Sequence, residues 1–252
     1  MAHPTVAVLE RHLTLYRRLW RASVFSSFAL PVLFVGSIGL GVGRYVGGLE
    51  GVSYAAWIVP GVLASTAFQM AVGECTYSVL GEFKWTRGAH AMFATRVSAW
   101  DMVRGWLAYI VIRVLIAVVV FLLVVWGFGV LGSWWTLVTP LVAGLLALAV
   151  AGPVTAFSAS IEHDSYFALL FRFVMIPSTL FAGVFFPVEQ LPALVRPLAY
   201  ASPLWHGVEL SRAATLGSAP PWPVWVHVGY LVVFAVGGMW WAAAAFRRRL
   251  QD

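Results

Sequence analysis

Six apolar runs, at residues 22–43, 55–75, 107–131, 135–157, 166–186 and 224–246, occupy more than half of this 252-residue chain. Each is 21 to 25 residues long, and a helix needs about 20 apolar residues to cross the hydrocarbon core of a bilayer. A lipid-exposed segment must satisfy its backbone hydrogen bonds internally, so runs of this length fold as helices. The expected fold class is an all-α membrane protein with six transmembrane helices. Little chain is left over for a soluble catalytic domain. Only 10% of the residues are charged and 61% are hydrophobic, against about 25% and 45–50% in soluble domains. Those proportions exclude an ordinary soluble globule, a disordered chain and a nucleic-acid binder.

The basic residues then set an orientation. Arg11, Arg17, Arg18 and Arg21 precede the first run, Lys84, Arg87, Arg96 and Arg104 lie between the second and third, and Arg247, Arg248 and Arg249 follow the last. The opposite side carries only Arg44, Arg196 and Arg212. Cytoplasmic loops collect Lys and Arg, so the expectation is a multi-pass protein of the inner or plasma membrane with both termini in the cytoplasm. Tryptophans gather at the ends of the runs, as at Trp134, Trp135, Trp225, Trp240 and Trp241, where indoles favour the membrane interface.

The whole chain, 1–252, reads as one transmembrane domain with three pieces outside the six runs. In 1–21, Val6, Leu9, Leu13, Tyr16 and Trp20 share one helical face, while Glu10, Arg17, Arg18 and Arg21 share the other. This pattern suits an amphipathic helix lying in the headgroup layer. A cleaved signal peptide fits less well, because no small-residue cleavage site follows. Segment 76–106 mixes charges and aromatics on the cytoplasmic side. Segment 187–223 is proline-rich yet apolar, which suits a re-entrant helical element between helices five and six.

Several chemistries are missing. The phosphate-binding loop G-x-x-x-x-G-K-[ST] needs a lysine, and the single lysine, Lys84, sits in Gly81-Glu82-Phe83-Lys84-Trp85. The chain is therefore not expected to be an enzyme, and any ATP hydrolysis belongs to another polypeptide. One cysteine, Cys75, makes neither an internal disulfide nor a cysteine-based metal site. Ser37 and His227 lie at different depths, which argues against an intramembrane serine protease. Glu162-His163-Asp164 are adjacent and point in different directions, so they read as a contact loop rather than metal ligands.

Glu74, Arg113 and Arg172 lie within or at the edge of the apolar runs. Ionisable residues at that depth pair, snorkel to the interface, or form a relay. Two small-residue patterns, Gly39-x-x-x-Gly43 and Gly238-x-x-x-Ala242, permit close helix approach, within the chain or between copies.

Two stretches carry a resemblance to a known family. One runs from Arg87 through Gly88, His90, Phe93 and Arg96 to Ser98, followed by Asp101 and Gly105. The other is Phe186-Pro187-Val188-Glu189-Gln190-Leu191-Pro192, continuing to Pro197-Leu198-Ala199-Tyr200-Ala201-Ser202-Pro203-Leu204. Together they resemble the membrane subunit of type-2 ABC exporters, in particular the branch with the nodulation lipo-oligosaccharide and drug-export permeases. Arg96 stands where that family usually has proline.

The resemblance implies a permease without cofactors of its own, ATP and magnesium being bound by separate ATPase subunits. It implies a second permease, identical or homologous, and surrounding membrane lipids as further partners, with no nucleic acid. The coupling segment that docks on the ATPase would be built from Phe83, Lys84, Trp85, Arg87, His90, Phe93 and Arg96. Helices one, two and five would line the conduit, with Phe68, Tyr77, Phe173 and Phe181 as aromatic candidates. The expected cargo is an amphipathic, lipidic, glycolipid or drug-like molecule leaving the cytoplasm or inner leaflet. The alternative from another class is an ATP-independent carrier or channel.

Overall fold

The computed structural model describes residues 3–37, 48–49, 51–129 and 133–251. Helix α1 spans Pro4–Ser37 and a two-residue antiparallel ladder pairs β1, Gly48–Leu49, with β2, Val52–Ser53. Next come α2, Tyr54–Cys75, α3, Tyr77–Lys84, α4, Gly88–Phe93, and α5, Ala99–Gly127. A 3₁₀ turn at Trp134–Val138 leads into α6, Thr139–Ser160. Helix α7 covers Tyr166–Phe181 with a π-helical middle at Phe171–Met175. Short α8, Arg196–Tyr200, precedes α9, Pro203–Leu216, and α10 closes the chain at Val224–Gln251.

Among the described residues, four helical stretches are long and apolar enough to cross a membrane: Tyr54–Lys84, Ala99–Gly127, Trp134–Ser160 and Val224–Gln251. The chain is thus a multi-pass, helical membrane protein, and four of the expected six spans stand out by length and composition. Run 22–43 ends on residues outside the described set. The sequence division at residue 21 leaves no mark on the backbone, since α1 continues through it to Ser37.

Run 166–186 is helical only to Phe181. Gly183 adopts a left-handed conformation, φ +77°, which ends an α-helix. Sixteen helical residues rise about 24 Å, short of the roughly 30 Å hydrocarbon core. The π turn lies directly before Pro177. Proline removes one amide donor and crowds the preceding turn, and a widened turn accommodates that.

The most extensive helix pair is α6 against α10, and α1 lies along α5. At the first contact a Cβ on Gly152 would stand 2.6 Å from the Gly238 carbonyl carbon, and one on Gly238 would strike Pro153. The Gly238-x-x-x-Ala242 pattern therefore serves packing within the chain. Gly39-x-x-x-Gly43 lies outside the described residues.

Helix α5 begins eight residues before the apolar run it contains. Ser98 and Asp101 form a reciprocal cap: the Asp101 amide donates to Ser98 Oγ at 3.2 Å, and the Ser98 amide donates to Asp101 Oδ2 at 3.1 Å. Thr5 Oγ1 donates to the remaining Asp101 oxygen at 2.7 Å. One turn on, Gly105 admits Val8 so closely that a Cβ would lie 2.7 Å from it. Asp101 and Gly105 thus fix the start of α1 on the start of α5.

Candidate functional site: the two polar ends of the bundle

At the arginine-rich end, α3 and α4 form a bracket held from three sides. Arg11 of α1 grips Glu82 with two hydrogen bonds of 2.9 and 3.1 Å, a bidentate geometry that orients as well as attracts. Lys84 Nζ donates to the Glu162 carbonyl at 3.0 Å. Phe83 is 4% exposed, packed edge-on against Phe246 of α10 at 4.8 Å, with the Arg249 guanidinium 5.0 Å above its ring. Arg249 also donates to the Ala159 and Ile161 carbonyls at 2.8 and 2.5 Å. Those carbonyls lie at the C-terminal end of α6, where a cation complements the helix dipole.

The residues expected to couple to an ATPase divide into two groups. Phe83 is buried, so it cannot serve as an apolar anchor for a partner; it ties the bracket to α10 instead. Trp85, 59% exposed, and Phe93, 40% exposed, remain on the surface beside exposed Arg87, His90 and Arg96. Arg87 is the one non-glycine with positive φ among the described residues, at +51°. Left-handed backbone costs an ordinary residue about 1–2 kcal/mol. Phe83, Lys84, Arg87, His90, His163 and Arg249 border a cavity of about 540 Å³ together with Glu162. The 161–165 loop and the 83–96 bracket therefore face one space.

Of the intramembrane charges, Glu74 on α2 and Arg113 on α5 form an ion pair, with side chains 22% and 15% exposed. The Arg113 guanidinium also lies 4.8 Å from the centre of the Tyr16 ring on α1. Three helices meet at that pair. Arg172 stands apart, exposed on the π turn of α7.

The aromatic conduit candidates also separate. Phe68 is 3% exposed and belongs to the core, because it lies on the side of α2 that packs inward. Tyr77 is half exposed and meets Phe167 edge-on at 4.8 Å, Phe181 is half-buried, and Phe173 is the most open of the four. The outward side of α2 and α3 carries Gln69, Gly73 and Tyr77 beside half-buried Thr66. Gln69 Nε2 donates to Ser65 Oγ at 2.8 Å. Their three- and four-residue spacing was visible in the sequence, although Gln69 had drawn no attention there.

The opposite end holds residues that the sequence reading missed. Arg212 of α9 donates to Glu209 at 2.6 Å and to the Gly183 carbonyl at 2.7 Å, and its guanidinium lies 4.0 Å from the Trp57 ring centre on α2. One side chain thereby bolts α9 to α2 and to the loop after α7. Nearby, His206 and His227 face each other, Nδ1 to Nδ1, at 3.0 Å, and His206 Nε2 lies 3.1 Å from the Tyr200 carbonyl. A carbonyl only accepts, so His206 Nε2 carries the hydrogen. Its Nδ1 then accepts from His227 Nδ1, and the His206 ring is neutral. Burial and the neighbouring His227 depress His206 to about 4. Tyr230 stacks on His206 at 3.9 Å, and Trp205 and Trp222 complete the cluster.

Comparison with known proteins places this architecture. Residues 4–216 match the ABC-2 type transporter family. Nodulation protein J of Rhizobium leguminosarum bv. viciae is 30% identical over 97% of this chain and 94% of its own. Nodulation protein J of Bradyrhizobium diazoefficiens is 28% identical over 99% and 95%. The inner membrane transport permease YadH of Escherichia coli strain K12 is 26% identical over 88% and 86%. The chain belongs to the ABC-2 type transporter family. Within that class it is the membrane permease of an ABC exporter.

Proposed function

We propose that two such permeases, identical or homologous, enclose a conduit that two separate ATPase subunits open and close. The lack of a phosphate-binding loop in the sequence supports a reading in which separate partner chains would bind the ATP and its magnesium. The arginine excess orients both termini and the 83–96 bracket towards the cytoplasm. Run 22–43 would supply the first span, α7 extended by residues 182–186 would supply the fifth, and 187–223 would form the re-entrant element at the outer side.

The observation that carries this reading is the mounting of the bracket. Its outward side offers Trp85, Phe93, Arg87 and Arg96, aromatic and arginine groups of the kind that concentrate binding energy. Its inward side is fastened to α1 by Arg11–Glu82, to the 161–165 loop by Lys84, and to α10 by Phe83. A displacement imposed on the bracket by a nucleotide-driven partner is thus passed directly to the bundle, which can switch between two packings. The exposed side of α2 and α3, with Gln69 and Tyr77, and the open side of α7, with Arg172 and Phe173, would face the conduit. An apolar path with a few polar groups suits an amphipathic, lipidic, glycolipid or drug-like cargo.

The test is co-purification of this chain from its native membrane with an ATPase that carries a phosphate-binding loop, followed by double charge reversal, Arg87→Glu with Arg96→Glu. We expect ATPase recovery to fall at least tenfold while the permease stays in the membrane. Cargo transport by the reconstituted chain alone, without ATP, would overturn the reading in favour of a carrier or channel.

A further inference from the structure

A groove of about 700 Å³ opens on the side of the bundle where α6, α9 and α10 meet, on the end opposite the arginines. Leu141 and Leu145 of α6, Leu210 and Ala214 of α9, and Val224 and Val228 of α10 line it. Trp135 also borders it and is 69% exposed; Trp225, beside Val224, is 75% exposed. Helices α6 and α10 each belong to a stretch long and apolar enough to cross the bilayer. Lipid chains, not water, are therefore what this apolar groove meets, near the depth where indoles settle.

A second, polar cavity of about 250 Å³ adjoins the groove. Ala213, Ser218, Ala219 and Pro220 border both. Glu189, Glu209 and Arg212 give the cavity one excess negative charge. The Arg212 guanidinium is already committed to Glu209, the Gly183 carbonyl and Trp57. Exposed Glu189 makes no side-chain ion pair among the described residues; the adjacent Arg196 guanidinium is held instead by the Glu189 and Leu191 backbone carbonyls, at 2.6 and 3.0 Å. A hydrogen-bond-donating ammonium entering here would find carboxylate acceptors that a headgroup without a cation cannot use.

We propose that groove and cavity together hold one bilayer phospholipid, an acyl chain lying between α6 and α10 and a primary ammonium headgroup at Glu189. The two halves divide the recognition. The groove selects for an acyl chain by burying it, and the carboxylate selects ethanolamine over glycerol headgroups. The site lies on α6, α9, α10 and the 187–190 turn that follows α7, away from the exposed sides of α2 and of α7 at Phe173, and needs no ATPase or nucleotide.

The full chain, purified in detergent, would be titrated with phosphatidylethanolamine or phosphatidylglycerol while thermal unfolding is followed, since a ligand of the native state raises Tm. Phosphatidylethanolamine is expected to raise Tm more than phosphatidylglycerol does. Ala214→Trp, or Val228→Trp from the facing wall should the first variant fold poorly, fills the groove and should cut both shifts by at least half. Glu189→Gln should leave an acyl-dependent shift and abolish the difference between the two lipids. No lipid-dependent shift in the parent chain, or an undiminished one in a correctly folded tryptophan variant, overturns the site. Equal responses of the parent chain to the two lipids overturn the headgroup assignment. A groove variant that changes the oligomeric state and not the lipid response would give the groove to a second copy instead.

Discussion

The two polar ends of this bundle solve opposite problems with similar residues. At the arginine-rich end, Arg87 and Arg96 stand exposed beside exposed Trp85 and Phe93. At the other end Arg212 is 6% exposed and Glu209 8% exposed, bonded to each other and roofed by Trp57. A buried charge is tolerable only when paired and hydrogen-bonded, so the second end is self-completed. The first leaves cations and aromatics open for a partner. The difference separates residues that hold the protein together from residues left free to meet a partner, as the proposed docking requires.

The largest expected effect is at the sealed end. Arg212→Leu leaves the buried Glu209 carboxylate without its counter-ion and removes the bond to the Gly183 carbonyl, a loss of about 3–5 kcal/mol for a broken buried pair. Thermal unfolding in detergent would show it, and adding Glu209→Gln should restore part of the loss by removing the orphaned charge. A variant as stable as the parent would erase the contrast between the two ends. Gly238→Leu is next. It drives a side chain into Pro153 at the α6–α10 contact, where overpacking costs about 1–3 kcal/mol, read as lower Tm with ATPase binding reduced only in proportion to folded protein.

How much of this was legible in the sequence follows from the range of each interaction. Spans depend on local composition, and four of the apolar runs emerge in helices long and apolar enough to cross a membrane. The cap of α5 was also readable, because Ser98 and Asp101 are three residues apart. Glu209 and Arg212 have the same spacing, but they lie in a proline-rich stretch that reads only as a re-entrant helical element, without saying which of its residues are buried. Their burial comes from Trp57 and Gly183, which are remote in sequence. Arg11–Glu82 and Lys84–Glu162 join residues 71 and 78 positions apart, and no periodicity reveals such pairs. The same limit explains Phe83, whose aromatic character suggests an anchor while its burial depends on Phe246. Within 166–186, apolarity runs on past Phe181 while Gly183 ends the helix, so composition alone overestimates that helix.

A smaller effect compares the two ends through pH. His12 lies under α5 against Trp106, ring centres 4.4 Å apart, and is depressed to about 4, by burial first and by Arg11 second. His206 is held equally low at the other end. Each is neutral when folded and takes up a proton near 6.5 when unfolded. Their contributions are therefore complete above pH 6.5 and are lost as pH falls from 6.5 towards 4, on the order of 1 kcal/mol per pH unit for each group. Unfolding midpoints measured across that range should fall, and His12→Phe should flatten the part that belongs to the arginine-rich end.

The smallest expected change in stability is the sharpest test of the open end. Arg87 holds a left-handed conformation at the start of α4 that glycine adopts without strain. Arg87→Gly should relieve that strain and, against the greater entropy of an unfolded glycine, leave stability within about 1 kcal/mol of the parent. A residue kept only for the fold would then be replaceable without consequence. The exposed guanidinium at the rim of the bracket has no such substitute. Recovery of the partner ATPase, measured beside Tm on the same preparation, should fall severalfold while unfolding barely moves. Full recovery with unchanged stability would show that the arginine-rich end is open without being used at Arg87, and docking would rest on Trp85, Phe93 and Arg96.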